Sequence, residues 1–239
     1  MARSQQAATQ RAPLSRERVL QTAVALAARD GIEALTMRKL ADELGAGAMS
    51  LYHYVPNKEA LLDGMVDIVF GELELPAIDI DWKTAMRRRA ISMREALNRH
   101  RWAVGLMESR AMPGPASFRH HDATLGCLRE GGFSIEATIQ ANSVQDAYIY
   151  GFALQEKYLP ADSAEEIAAV ATEQARQFAE DAQAQQSAAL AEEFPYLHEV
   201  VAGHVAKVGY DFTAAFEYGL DLILDALEQR RDAVAQPEV

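Results

Sequence analysis

Residues 36–62 read TMRKLADELGAGAMSLYHYVPNKEALL, and how they are read decides the fold. Thr36 is a good helix N-cap, and Met37, Leu40, Ala41 and Leu44 follow it at helical spacing. Gly45 can end that helix because it tolerates a left-handed backbone. A very short helix fits from about residue 48 to 54, since Pro56 must stop it. Asn57 then caps another helix, with Glu59 in the first turn where the macrodipole favours a carboxylate. Gly45, Gly47 and Ser50 superficially suggest a phosphate loop. Such a loop must follow a buried strand, open a long helix and carry GKS or GKT. Here an amphipathic helix precedes it, Pro56 cuts the next helix, and the lysine motif is absent. Helix, glycine, three-residue turn and short helix is instead the helix-turn-helix pattern.

Leu40, Leu44 and Leu51 can pack the two helices together, with Val55 behind them. The outward arc is then Met49, Ser50, Tyr52, His53 and Tyr54, facing the major groove of double-stranded DNA and its rims. Ser and Tyr hydroxyls suit phosphate oxygens, and a thioether suits a thymine methyl. Thr36 and Lys58 sit at helix N-termini, where backbone N–H groups also bind phosphate. Arg38 is the strongest cation near the turn; its bland alternative is an ion pair with Asp42 one turn on. For the tyrosines the alternative is that one of them turns inward.

Charge agrees with this placement. The chain of 239 residues carries a net −12, but residues 1–60 hold eight Lys/Arg and six Asp/Glu, leaving −14 for the remainder. Only the first quarter can approach a phosphate backbone, which also argues against a broad architectural DNA binder. One cysteine, Cys127, excludes an internal disulfide framework and fits a cytoplasmic protein. No apolar run is long enough to span a membrane, and the first residues lack the apolar core of a signal peptide.

Helical periodicity without alternating strand patterns predicts an all-α fold. Residues 1–14 read as a disordered arm with Arg3 and Arg11, residues 15–62 as the helix-turn-helix unit, its last helix continuing to about 75. Residues 76–231 read as a larger helical domain and 232–239 as a disordered tail. Within the larger domain, helices are expected over about 82–99, 101–110, 117–130, 134–158, 164–193, 195–203 and 209–230.

The series Thr36-Met37-Arg38-Lys39-Leu40-Ala41, Leu44-Gly45, Ser50-Leu51-Tyr52, Tyr54-Val55, Asn57-Lys58 and Leu61-Leu62 resembles the DNA-binding domain of the TetR family of bacterial regulators. The resemblance covers about residues 15–62 without a gap. It implies a homodimeric transcription factor, most often a repressor released from a palindromic operator by a small molecule. The family's phosphate- and base-contacting positions correspond here to Thr36, Arg38, Ala48, Met49, Ser50, Tyr52, Tyr54 and Lys58.

Local features carry the rest. Phe212, Phe216, Leu220, Ile223 and Leu227 form an apolar stripe on the last long helix, with Ala215 and Gly219 allowing close backbone approach beside it. Ile135, Ile139, Ala147, Gly151 and Leu154 form a similar stripe between 134 and 158. Two such helices per subunit can build an intersubunit four-helix bundle; packing within one subunit is the alternative. The stretches FEYGLDLIL and FPYLHEVV are similar to the tetracycline-repressor subgroup, which favours the dimer. Met86, Met93, Met107 and Met112, with Trp82, Trp102 and Phe118, suit either an adaptable apolar ligand cavity or an ordinary core. Arg89, Arg110, His120, His121, Asn142 and Gln145 are the polar groups that could orient a ligand there, and Leu106 falls near a family ligand position.

His120-His121-Asp122 does not have metal-site spacing, and neither do His198 and His204, so no metal or cofactor is expected. Glu74 and Leu106 stand where the tetracycline repressor would offer ligands to a magnesium–drug chelate; neither is histidine, which speaks against that effector. The rival reading is an all-α enzyme or small-molecule carrier with an incidental helix-turn-helix-like corner. It lacks a nucleophile elbow, HExxH or CxxC.

Overall fold

The computed structural model describes residues 13–110, 113–157, 164–181 and 192–235. Arg3 and Arg11 of the arm, Met112, residues 182–191 of the expected 164–193 helix and the last four residues lie outside the described residues. Among the described residues every regular element is helical, and no helix is long and apolar enough to cross a membrane.

Four helices come first: α1 Arg16–Asp30, α2 Met37–Leu44, α3 Ala48–Leu51 and α4 Lys58–Gly71. Their starts follow from side-chain caps. Ser15 accepts from the Arg18 N–H at 3.2 Å, Thr36 from Lys39 at 3.1 Å, and Asn57 from Ala60 at 2.7 Å. Each satisfies an N–H that the first turn would otherwise leave unpaired. Gly45 ends α2 at φ 63°, ψ 36°, the left-handed conformation that the turn requires. α1 packs on α2 and α4, and α2 on α3.

The C-terminal helices are α5 Trp82–Arg99, α6 Val104–Ser109, α7 Pro115–Glu130, α8 Ile135–Lys157, α9 Ala164–Asp181, α10 Pro195–Val200, α11 Ala206–Val208 and α12 Phe212–Ala235. A 3-10 turn, Arg101–Ala103, joins α5 to α6, and a π-helical turn, Val201–Val205, joins α10 to α11. α8 packs against α5, α7 and α12, and α7 packs against α4. The buried core therefore runs without a break from α1 through α4 and α7 into α8 and α12.

Several boundaries differ from those the sequence suggested. α4 ends at Gly71 rather than about 75, the helical turns that start at Pro195 run on to Val208 rather than 203, and the last helix runs to Ala235, so that residues 232–235 of the expected disordered tail are helical. α3 is four residues rather than about seven, because the N–H groups of Tyr54 and Val55 both turn back to the Leu51 carbonyl at 2.9 Å. α7 begins at Pro115 rather than 117, since proline is suited to the first helical position. The last helix begins at Phe212 rather than 209: Gly209 has φ 84°, and the Asp211 carboxylate caps Thr213 at 2.9 Å and Ala214 at 3.0 Å.

Candidate nucleic-acid interface and ligand cleft

Leu40, Leu44, Leu51 and Val55 are buried, so the α2–α3 corner is held by its apolar side and presents the other. Met49 is 78% exposed at the corner's tip and Tyr52 is 42% exposed. Ala48, Ser50, His53, Thr36, Arg38 and Lys58 are exposed beside them. Tyr54 is half-buried and rests on the core, so of the two tyrosines it is the one that turns inward. The alternative pairing of Arg38 is not made: among the described residues neither Arg38 nor Lys58 has an ion-pair partner. Neighbouring cations are already used. Lys39 reaches Asp30 at 2.7 Å, and Arg29 lies between Asp30 and Glu43. Two unneutralised cations thus flank an apolar and hydroxyl-bearing tip, an arrangement that can grip phosphates on either side of a groove.

A cleft of about 530 Å³ opens between the end of α4, α6, α7 and α8. Phe70, Val104 and Met107 supply apolar wall, and Asn142, Asp146 and Tyr150 supply polar groups along α8. These groups are oriented from behind. Arg89 is fully buried and donates to Gln145 at 2.7 Å and to Asp146 at 2.5 Å. Gln145 donates on to the Met86 carbonyl at 3.3 Å. Asp146 accepts from the Asn142 amide at 3.0 Å, which leaves the Asn142 carbonyl oxygen buried and without a donor. Burial pushes the Tyr150 phenol well above its ordinary range, so it is a neutral hydrogen-bond donor at the cleft wall. His121 lines the cleft and His120 is fully buried behind it. Among the described residues no three His, Cys, Asp or Glu side chains converge as a metal site would need.

The expected ligand residues are therefore scattered. Met107 and Asn142 line the cleft, and Arg89 and Gln145 stand behind its wall. Trp82, Met86 and Met93 belong to the closed core; Trp82 packs edge-on against Phe133 at 4.7 Å. Leu106 is half-buried against that core, and Phe118, 49% exposed, faces solvent on α7. Trp102 walls a different gap. Arg110 binds Glu59 and Asp63 of α4, which occupies its guanidinium in joining the helices. Glu108, Ser143, Asp146 and Tyr150 also line the cleft, and sequence reasoning missed them. Their signal was present as Asn142-Asp146-Tyr150, polar groups four residues apart on one helix face.

The expected dimer residues divide as well. Ile139, Ala147, Gly151 and Leu154 lie towards the open side of α8, and the last three also line the cleft. Phe212, Phe216 and Leu220 are taken up by the subunit's own core, and Ile223 and Leu227 are half-buried at its edge. Phe216 stacks on Tyr148 at 5.3 Å and meets Phe152 edge-on at 5.1 Å. Gly219 does admit a close neighbour, but within the chain: a Cβ there would collide with the Tyr148 hydroxyl. The outward face of α12 carries Tyr218 and Leu222 instead.

α4 ties the two regions together. Its Asp67 carboxylate accepts from the Ala116 and Ser117 N–H groups at 2.9 Å, capping α7 from outside. With the Arg110 ion pairs, this fixes both ends of the α6–α7 connection to the helix that follows the α2–α3 corner.

Residues 19–65 match the family described as "Bacterial regulatory proteins, tetR family", and residues 75–231 match "Tetracyclin repressor-like, C-terminal domain". The chain is 36% identical over 147 residues to the HTH-type transcriptional repressor DrrR1 of Streptomyces coeruleorubidus; the match spans 61% of this chain and 54% of that one. It is 30% identical over 223 residues to the class A tetracycline repressor from transposon 1721 in Escherichia coli, covering 92% of this chain and 93% of the repressor. Among solved structures, ActR of Streptomyces coelicolor in complex with actinorhodin superposes with a TM-score of 0.71 at 28% identity, over 92% of this chain and 99% of that one.

Proposed function

Because this chain belongs to the TetR family of bacterial regulatory proteins, we propose that it is a cytoplasmic, homodimeric repressor that leaves a palindromic operator when a small molecule enters the α6–α8 cleft. The family consists of transcriptional regulators, so the enzyme reading falls. Residues 15–62 form the operator-reading unit, and residues 76–231 bind effector and partner. Thr36, Arg38, Lys58 and the 48–54 corner touch the duplex, the cations on phosphates and Met49 with Ser50 towards the bases. A corner this small reads few bases, so two copies one turn of DNA apart are needed for useful affinity.

One observation carries the ligand response: α4 is bonded at Glu59, Asp63 and Asp67 to the α6–α7 segments beside the cleft. A ligand that fits the cleft better in one setting of α6 and α7 shifts α4, and with it the reading corner. The wall favours an apolar body with polar groups that meet Asp146 and the Tyr150 hydroxyl. The actinorhodin complex of the ActR neighbour supports a ligand of that kind, and makes actinorhodin the first probe.

Mobility-shift titration on DNA upstream of the protein's own gene and its neighbours tests the reading. Saturable binding at a palindrome is expected. Arg38→Ala or Lys58→Ala should weaken it and make the salt slope shallower by about 1 for each phosphate no longer gripped. Equal affinity for every DNA sequence offered would sink the reading.

A further inference from the structure

We propose that the effector of the α6–α8 cleft is an apolar, ring-built molecule carrying a protonated amine, and that Glu108 and Asp146 select it by that charge. The proposal rests on the effector reading of this cleft and adds the class of ligand that fits it.

Charge along the wall is one-sided. Of the residues that line the cleft, Glu108 on α6 and Asp146 on α8 bear carboxylates, and none is lysine or arginine. The nearby cations are engaged elsewhere. Arg110 binds Glu59 and Asp63 of α4. Arg89 lies on the core side of Asp146: its side chain is 0% exposed, against 20% for that of Asp146. The pair therefore turns its negative end towards the cleft. Asp146 accepts one bond from Arg89 at 2.5 Å and one from Asn142 at 3.0 Å. A carboxylate offers about four acceptor positions, so Asp146 keeps capacity for a ligand. Glu108 is exposed and has no ion-pair partner among the described residues.

Tyr150 shows that the two carboxylates act on one part of the wall. Burial, then Asp146 and Glu108, keep its phenol protonated, although Arg89 opposes them. An ammonium group placed there has three N–H donors to share among two carboxylates and the phenolic oxygen. An anionic group in the same place meets repulsion from both carboxylates. The apolar remainder of the ligand lies against Phe70, Val104 and Met107, and about 530 Å³ is room enough for several fused rings. The acidic C-terminal region also draws cations from solution towards the cleft.

The test uses the full-length protein and three fluorescent probes of one shape: 9-anthracenemethylamine, 9-anthracenemethanol and 9-anthracenecarboxylate. Anisotropy titrations at neutral pH are expected to rank their affinities in that order, with the amine at least about tenfold tighter than the alcohol. Glu108→Gln, a change at an exposed position of α6, should shrink that advantage to within about threefold. Gly105→Leu locates the site. A Cβ at Gly105 meets no neighbour and the added side chain joins the cleft lining, so the amine should bind at least about tenfold more weakly. Equal affinity for amine and alcohol, or an advantage kept in full by Glu108→Gln, overturns the amine proposal and leaves the cleft standing as the effector site. An amine that does not bind, or whose binding ignores Gly105→Leu, overturns the proposal together with the effector reading.

Discussion

His120 shows what one residue's surroundings add to its identity. From the sequence, His120 and His121 are equivalent neighbours; in the fold, one walls the cleft and the other is sealed behind it against Phe70, ring centres 5.5 Å apart. Neither ring nitrogen of His120 has a partner among the described residues. Burial disfavours the imidazolium, lowering its pKa from 6.5 to about 3, with Arg89 and His121 adding to the shift. Below 6.5 the unfolded chain takes up a proton that the folded chain refuses. This contribution to stability is therefore complete above pH 6.5 and is lost as pH falls towards 3, by about 2 kcal/mol between pH 7 and 5. His120→Phe removes that share while costing little at pH 7, because the ring's shape is kept and no hydrogen bond is lost. Urea unfolding at the two pH values measures it. Equal losses in both proteins would show that His120 is not held neutral.

At the scale of elements, the helices were legible because caps and apolar periodicity are local signals. Ser15, Thr36, Asn57 and Ser134 each start a helix within a residue of where the sequence placed it. What helix faces meet was not legible, since one stripe serves a neighbour or a partner equally well. Gly219 is the clearest instance: the need for close approach was readable, but its neighbour proved to be Tyr148 of the same chain. Tyr148 donates to the Phe216 carbonyl at 2.8 Å and so pins α8 to α12. Gly219→Ala is expected to cost about 1–3 kcal/mol by forcing the two helices apart there. Tyr148→Phe in the same protein should recover part of it, because the hydroxyl is the atom met first. Thermal melts of the two single variants and the double variant give the coupling, and simple additivity would mean that this pair does not set the crossing. α4 offers a parallel case. A Cβ at Gly114 would lie 2.5 Å from the Asp67 carboxyl carbon, so Gly114→Ala should displace the carboxylate that caps α7. The expected result is a loss of about 1–3 kcal/mol in the same melts, and an unchanged midpoint would mean that the α4–α7 junction yields freely.

Across the whole molecule, apolar surface remains where the subunit does not use it. α8 leaves Ile139, Val144 and Leu154 exposed and α12 leaves Tyr218 and Leu222, while the inward stripes of both helices are satisfied. Elsewhere α12 is tied down by charge: its Glu217 and Asp221 hold Arg87, and its Asp225 and Glu228 hold Lys83. These pairs fix the helix on α5 and leave its other face uncovered in the single chain. Burying the exposed residues of α8 and α12 against their counterparts gives an isologous interface, in which each changed residue acts twice. Ala147, Gly151 and Leu154 belong both to this face and to the cleft, so a partner there would also close the cleft's mouth. Sedimentation equilibrium should give twice the chain mass of 26.3 kDa. Leu222→Glu, which places two like charges at the centre of the interface, should give the monomer mass with helix content unchanged by circular dichroism. Operator affinity should fall by at least about a hundredfold, because a single reading corner touches too little of the duplex alone. Ligand binding in the α6–α8 cleft should weaken in the same variant even though Leu222 does not line it. A dimer that survives Leu222→Glu would move the interface off this face, and a monomer that binds the palindrome with full affinity would remove the need for one.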